Sequence, residues 1–406
     1  MALIERPVYE QWIRSYVDTP VAKVLTGIRR CGKSSLLMST ADWLRQRTTP
    51  DRVVHLDFDL LAAEPLRSAA ALDAHLRDTT PPDGPLYVLL DEVQEVDQWE
   101  RLVNSLLAQG RADIYLTGSN SRMLSSELST YITGRYVTVD VTTLSFAEHL
   151  DFAARLRGSG TSDLAGQFDA YLRQGGFPGL YMADYSDAQA RQLVSDIYRS
   201  ILVKDVLARH PIRNVDLFER VASFALDNVG NIVSARSISA FLKSQQRTLS
   251  HPTVAEYLNF LTEAYLLTKV SRYDLRGRAL LATNEKYFAG DHGLINAFFG
   301  YSTARLPGLL ENIVGAELAR RGYDVMVGKQ GDTEVDFVGA RADEKVYVQV
   351  AATILDPATR RREYAPLTAI ADSYPKYVVT LDQSAGGNQD GIRHVWLPTF
   401  LLDESW

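Results

Sequence analysis

Apolar positions along the chain fall into two rhythms. Short stretches rich in apolar residues occur at Val21 to Thr26, Arg52 to Phe58, Leu86 to Leu90, Asp113 to Thr117 and Tyr136 to Val141. Each reads as a strand, the first as a buried one. Between them lie stretches with apolar residues three and four apart, which predict helices: residues 1 to 20 with Tyr9, Trp12 and Ile13, a helix opened by Ser35-Leu36-Leu37-Met38, residues 59 to 79, and Ser121 to Ile132, closed by Gly134. Pro81-Pro82-Asp83-Gly84-Pro85 marks a break before the third run. Strands alternating with helices predict a parallel sheet.

Beyond residue 144 the pattern changes. Residues 145 to 229 read as mainly helical, with apolar spacing of three and four over Leu164 to Leu172 and Ala188 to Val206. Ser234 to Lys243 and Pro252 to Tyr265 read as two helices, followed by a hairpin from Leu266 to Tyr273, an Arg276-Gly277-Arg278 tip and an Ala279-Leu280-Leu281 return. Helix, turn, helix and hairpin together resemble a winged helix. The last hundred residues predict a small α/β unit, with a helix from Gly308 to Arg321 and strands at Tyr323 to Val327, Glu334 to Val338, Lys345 to Ala351, Tyr377 to Asp382 and His394 to Leu397.

Candidate chemistry concentrates where the first apolar run ends. Gly27 to Ser35 reads Gly-Ile-Arg-Arg-Cys-Gly-Lys-Ser-Ser, with the spacing of a phosphate-binding loop between strand and helix. Glycines let backbone N–H groups approach phosphates, and the helix N-terminus favours negative charge. Lys33 is placed to reach the β- and γ-phosphates, Ser34 to ligate magnesium, and Gly27, Arg29, Arg30, Gly32 and Ser35 complete the nucleotide contacts. The third run closes on Asp91-Glu92, which suits magnesium held through Asp91 and a water activated by Glu92 as general base. The fourth ends in Gly118-Ser119-Asn120-Ser121, where Asn120 or Ser119 can face the γ-phosphate, or Ser119 or Ser121 can cap a helix. Arg135, just before the fifth run, can reach a neighbouring subunit's triphosphate or simply complement a helix C-terminus.

These parts in this order resemble the AAA+ ATPases. More narrowly, Gly-Ile-Arg-Arg-Cys-Gly-Lys-Ser, Leu-Asp-Glu-Val-Gln, Leu-Thr-Gly-Ser-Asn-Ser and Leu-Ser-Phe-Ala-Glu at 144 to 148 resemble a prokaryotic branch related to the archaeal-type and signalling ATPases, whose members carry a C-terminal domain of unknown function. The resemblance implies ATP and Mg2+ as cofactors, with Lys33, Ser34, Asp91, Glu92, Asn120 and Arg135 as phosphate, magnesium, base, sensor and finger positions. It also implies a homo-oligomeric ring, a hexamer being one candidate. Gln174-Gly175-Gly176-Phe177-Pro178 is similar to that branch's lid motif, against the alternative of a plain helix–helix turn.

Charge changes the picture in one region. The chain of 406 residues carries a net charge of -7, so no global attraction to nucleic acid or acidic membrane is expected. The hairpin region is nonetheless locally basic, and Lys269, Arg272, Arg276, Arg278 and Lys286 are candidates for DNA phosphate contacts, the alternative being packing or subunit contact. The second helix of that region, with Glu256 and Glu263 and no Lys or Arg, argues against base reading. The single cysteine, Cys31, excludes an intrachain disulfide, fits a reducing cytoplasm, and sits in the phosphate loop as a packing residue or an oxidisable thiol. Apolar runs are too short to span a bilayer, so no membrane association is expected.

Near the C-terminus, Glu311 on a helix and Asp336 and Gln349 on strands resemble the PD-(D/E)XK nuclease core. Ala351 stands where an active member has lysine, so a degenerate domain without cleavage is expected unless Lys329, Lys345 or Lys376 substitutes in space. The combined expectation is an α/β protein: a P-loop AAA+ parallel-sheet core (1–144), a helical lid (145–229), a winged helix (230–300) and a small nuclease-like α/β domain (301–406). It would be a Mg-dependent ATPase acting as an oligomeric motor or switch, on DNA or alternatively on a protein partner.

Overall fold

The computed structural model describes residues 4–405 apart from 122–131, 133, 158–162, 278 and 332, and without the side chains of 157 and 281–284. The helix expected over 121 to 132 and the candidate Arg278 therefore lie outside the described residues. Contacts divide the chain into two compact units, Met1–Thr143 with Glu263–Tyr265, and Leu144–Thr262 with Leu266–Trp406.

In the first unit the five apolar runs form strands β1 (Ala22–Thr26), β2 (Val53–Asp57), β3 (Leu86–Asp91), β4 (Ala112–Thr117) and β5 (Tyr136–Asp140). They make one parallel sheet in the order β2-β3-β4-β1-β5. Every residue of β1 and β3 is buried, as a sheet covered on both faces requires. Val24, Val88, Leu90, Ile114 and Leu116 pack with Leu72 and Leu76 of helix α3 (Ala69–Thr79) and Leu102, Val103 and Leu106 of α4 (Trp99–Gln109). Each such side chain stabilises the unit by about 1.5–3 kcal/mol relative to leaving it in water. Helices α1 (Pro7–Ser15) and α2 (Lys33–Arg45) complete the described helices of this unit.

The stretch from 59 to 79 is not one helix. Pro65 sits in a 3-10 turn, Leu61–Leu66, and α3 starts afresh after Ser68, whose hydroxyl accepts from the Ala71 N–H at 3.3 Å.

The second unit begins with helices α5 (Phe146–Arg157), α6 (Leu164–Gln174), α7 (Asp187–Ile201), α8 (Val215–Asp227), α9 (Ala235–Ser244) and α10 (His251–Glu263), whose last residue belongs to the first unit. The expected helix over 188 to 206 stays α-helical only to Ile201 and continues as a π-helical turn, Leu202–Leu207. The Gly175-Gly176 turn lies against the start of α11 (His292–Phe299): Asp291 accepts from the Gly176 N–H at 2.9 Å and from the Gly293 N–H at 2.8 Å. A Cβ on Gly175 would stand 2.7 Å from the Gly293 Cα, so glycine there permits the contact.

The hairpin strands β6 (Leu267–Asp274) and β7 (Ala279–Ala289) do not end a separate domain. They belong to one eight-stranded sheet with β8 (Asp324–Gln330), β9 (Thr333–Arg341), β10 (Glu344–Val350), β11 (Lys376–Thr380), β12 (Asn388–Gln389) and β13 (Ile392–Trp396), in the order β12-β13-β11-β10-β9-β8-β6-β7. The junction is a parallel pairing of Arg272, Tyr273 and Asp274 with Val327, Gly328 and Lys329. The division expected at 300/301 thus runs through a continuous sheet; pairing with β6 gives β8 backbone partners it would otherwise lack. Helices α12 (Leu306–Arg320), α13 (Pro357–Thr368) and α14 (Leu397–Leu402) pack with these strands.

Candidate nucleotide site

The sheet order brings the two halves of the site together. β4 lies between β1 and β3, so the loop after β1 and the acids ending β3 are separated by one strand, roughly 10 Å across two strand spacings. The last residue of β4, Thr117, fills that gap: its hydroxyl bonds to the Asp91 carboxylate and accepts from the Glu92 N–H at 2.9 Å.

After β1 the chain makes a loop of positive-φ positions, Gly27 at +137°, Arg30 at +68° and Gly32 at +107°, before α2 begins at Lys33. Gly27 admits no side chain, since a Cβ would lie 2.1 Å from the Val141 carbonyl oxygen. The Lys33 ammonium folds over the loop and donates to the carbonyls of Gly27 at 2.8 Å and Ile28 at 3.1 Å. Arg29 pairs with Asp59 at 3.7 Å, Arg30 is exposed, and Ser34 and Ser35 lie exposed on the first turn of α2. Cys31 is fully buried, in keeping with the packing alternative.

The loop's shape is fixed from behind by a residue the sequence did not single out. Arg6 is buried and donates to the carbonyls of Cys31 at 3.0 Å, Thr142 at 3.0 Å and Thr143 at 3.5 Å. It ties the crest of the loop to the chain leaving β5. Below the loop, Thr26 hydrogen-bonds to Asp140, which also accepts from the Tyr265 hydroxyl at 3.3 Å.

Asp91 is 1% exposed, and its carboxyl is pushed up to about 6 by burial, against the hydrogen bonds from Thr117 and Ser34, with the charges of Glu92 and Asp57 adding to the rise. That Ser34–Asp91 contact joins the two residues expected to hold magnesium. A hydroxyl bonded to a buried carboxylate is an all-oxygen donor set of the kind that fits a hard divalent cation. Glu92 takes a left-handed backbone conformation, φ +52°, and its carboxylate is bonded by the Gln94 amide and by the Ser119 hydroxyl at 3.3 Å. Asn120 is buried at the end of β4 beside Ser119. Lys33, Ser34, Asp91, Glu92, Ser119 and Asn120 therefore all stand at the carboxyl-terminal edge of the sheet, where open α/β folds bind ligands.

Arg135 lies at the opposite, amino-terminal end of β5. Its carbonyl accepts from the Ala22 N–H at 2.9 Å, and its guanidinium donates to Asn104 of α4. It is remote from the site of its own chain.

The hairpin cations are placed differently from expectation. Arg272 and Lys286 are largely buried and paired inward, Arg272 with Glu334 at 3.6 Å and Lys286 with Glu334 at 2.6 Å and Glu311 at 3.2 Å. Lys269 is exposed but pairs with Glu285 across the hairpin at 2.5 Å. Arg276, at the tip, is the remaining described candidate for phosphate contact that stands exposed. Glu311, Asp336 and Gln349 do come together, on α12, β9 and β10.

Comparison with known proteins agrees with this geometry. Residues 19–150 match the family described as an AAA domain, and residues 165–305 match a domain of unknown function, which spans both the expected lid and the expected winged helix. The first unit is thus an AAA-type P-loop core. The chain belongs to the same family as an uncharacterized protein of Haemophilus influenzae, to which it is 36% identical over 99% of both chains. It is also 26% identical to an uncharacterized protein of Methanocaldococcus jannaschii, over 86% of this chain and 79% of that one. Among solved structures, the fold is similar to a Walker-type ATPase of Pyrococcus abyssi, with TM-score 0.51 and 16% identity, covering 72% of this chain and 95% of that one. No helix among the described residues is long and apolar enough to cross a membrane.

Proposed function

We propose that this protein hydrolyses ATP in a magnesium-dependent reaction at the edge of the first sheet. The observation that carries this reading is the junction of Ser34, Asp91 and Glu92 at Thr117, with Lys33 folded over the loop immediately before Ser34. The N–H groups of the loop and Lys33 bind the β- and γ-phosphates, Lys33 leaving the loop carbonyls to do so. Ser34 and Asp91 would hold magnesium, which when bound supplies charge neutralisation at the phosphoryl oxygens. Glu92 takes a proton from the attacking water, its carboxylate oriented by Gln94 and Ser119, which both donate to Oε2. Asn120 orients the γ-phosphate or the water. Calorimetry with ATP and magnesium tests the reading: Lys33→Ala is expected to weaken binding at least about tenfold, and unchanged affinity would sink it.

We place Arg135 as a residue that completes a neighbouring subunit's site in a homo-oligomer. Its position at the far end of β5 supports action in trans, since it cannot reach its own chain's loop. Light scattering with a slowly hydrolysed ATP analogue is expected to reveal a multimer, and Arg135→Ala is expected to cut turnover by about 10³-fold or more while sparing nucleotide binding. Full activity in a monomer would refute this.

What the ATPase acts on has two readings. The DNA reading rests on Arg276 at the hairpin tip. The pairing of Lys269, Arg272 and Lys286 with carboxylates favours the second, a nucleotide-gated protein-remodelling or signalling role. Phosphate release measured with and without single- and double-stranded DNA separates the two.

A further inference from the structure

The nuclease-like pattern implies a divalent metal at Glu311, Asp336 and Gln349, and with Lys286 paired to Glu311 and Glu334 the donor set does not fit one. Among the described residues, no three His, Cys, Asp or Glu side chains stand where they could share a metal ion. The groups that would do so are already engaged. Asp336 accepts from the Val350 N–H at 2.8 Å; Gln349 accepts from the Asp336 N–H at 3.3 Å and donates to Glu363 at 2.9 Å.

The centre of this cluster holds an ammonium group instead. Lys286 reaches in from β7 with its side chain 4% exposed, 2.6 Å from Glu334 and 3.2 Å from Glu311. Burial by itself lowers the hold of Lys286 on its proton, but Glu311, Asp336 and Glu334 together more than offset it and keep the ammonium charged. The same burial pushes the Glu311 carboxyl up to about 6 and raises Asp336 well above the usual range. None of the three lysines proposed from sequence takes this position: Lys376 donates to the carbonyls of Ile370 and Asp372, Lys345 lies over the rings of Tyr273 and Tyr374, and no ion pair joins Lys329 to the cluster among the described residues. β7 is fastened beside the cluster a second time, by Asn312 of α12, whose amide accepts from the Ala289 N–H at 2.6 Å and donates to the Ala289 carbonyl at 3.0 Å.

We infer that Lys286 is the resident cation of this cluster, occupying the place of the divalent metal that the sequence pattern implies. The carboxylates thereby bind β7 to α12 and β9, and take up no metal while the lysine is present. A lone buried lysine among carboxylates is strongly held, because removing it leaves like charges facing one another in a medium of low dielectric.

The test is calorimetric titration of the full chain with MnCl2, comparing wild type, Asp336→Asn, Lys286→Gln and the double variant. Any manganese bound at the nucleotide site is common to all four and cancels. Wild type and Asp336→Asn are expected to match. Lys286→Gln is expected to gain one manganese, bound at least about tenfold more tightly than anything seen in the wild type, and the double variant to lose it. Manganese binding by the wild type that Asp336→Asn removes would overturn the inference, as would a folded Lys286→Gln that binds none. If Lys286→Gln does not fold, the wild-type and Asp336→Asn pair decides alone.

Discussion

Glu92→Gln is expected to bind ATP with magnesium as tightly as the wild type and to release phosphate about 10²–10⁴-fold more slowly. Glutamine keeps the shape of the side chain and can still meet Gln94 and Ser119 across the same space. It cannot take a proton. The backbone that places it is independent of the substitution, since the Glu92 N–H is anchored on Thr117 and that bond involves no side-chain atom of residue 92. Nucleotide affinity and turnover should therefore separate cleanly. The check is fluorescent-nucleotide binding beside a phosphate-release assay, and a variant that turns over at the wild-type rate would remove Glu92 from the mechanism.

Asp91→Asn is expected to abolish turnover and yet to stabilise the first unit at alkaline pH. The Asp91 carboxyl is raised from 3.8 to about 6, chiefly by burial. A group whose folded value lies above its unfolded one gives stability below the unfolded value and loses it as pH rises through the folded one. At pH 8 the wild type therefore carries a buried charge that costs about 3 kcal/mol, since each tenfold change in proton affinity is worth about 1.4 kcal/mol. Asparagine removes the charge and keeps an oxygen for Thr117 and Ser34. Thermal melts without nucleotide or metal should show the variant's midpoint about 6–12 °C above the wild type at pH 8 and nearly level with it at pH 4, where the folded-state carboxyl is protonated. A variant less stable than the wild type at pH 8 would show that the charge is compensated in the fold.

The parallel core was legible because its central strands β1 and β3 are buried throughout and all five read as short stretches rich in apolar and β-branched residues, each close to the observed strand. The phosphate loop and the acid pair were legible for a different reason: their residue types are dictated by close approach to phosphate and metal, and lie contiguous in sequence. Arg6 was not legible. It acts through three backbone carbonyls, two of them more than 130 residues away, and nothing in its neighbourhood marks an arginine as buried. Thr117 was read as the end of a strand, and only the order β3-β4-β1 places it between the loop and the acids. The hairpin was found, but its cations were assigned to solvent because pairing of β6 with β8 joins residues some 55 positions apart and no local pattern announces it. The break at Pro65 was available in the sequence and outweighed by the apolar spacing around it.

The single sheet running from the hairpin to the last strands has a practical corollary for dissecting the molecule. A fragment starting near residue 301 would lack β6 and β7, leaving β8 as a bare edge with open N–H and C=O groups, and would strand Glu311, Glu334 and Asp336 without their lysine. Such a piece is set to self-associate or misfold, whereas one cut at Thr143/Leu144 keeps the whole sheet and its counter-charge intact. Deletion phenotypes mapped to the last hundred residues would accordingly report a torn sheet before they report a lost activity.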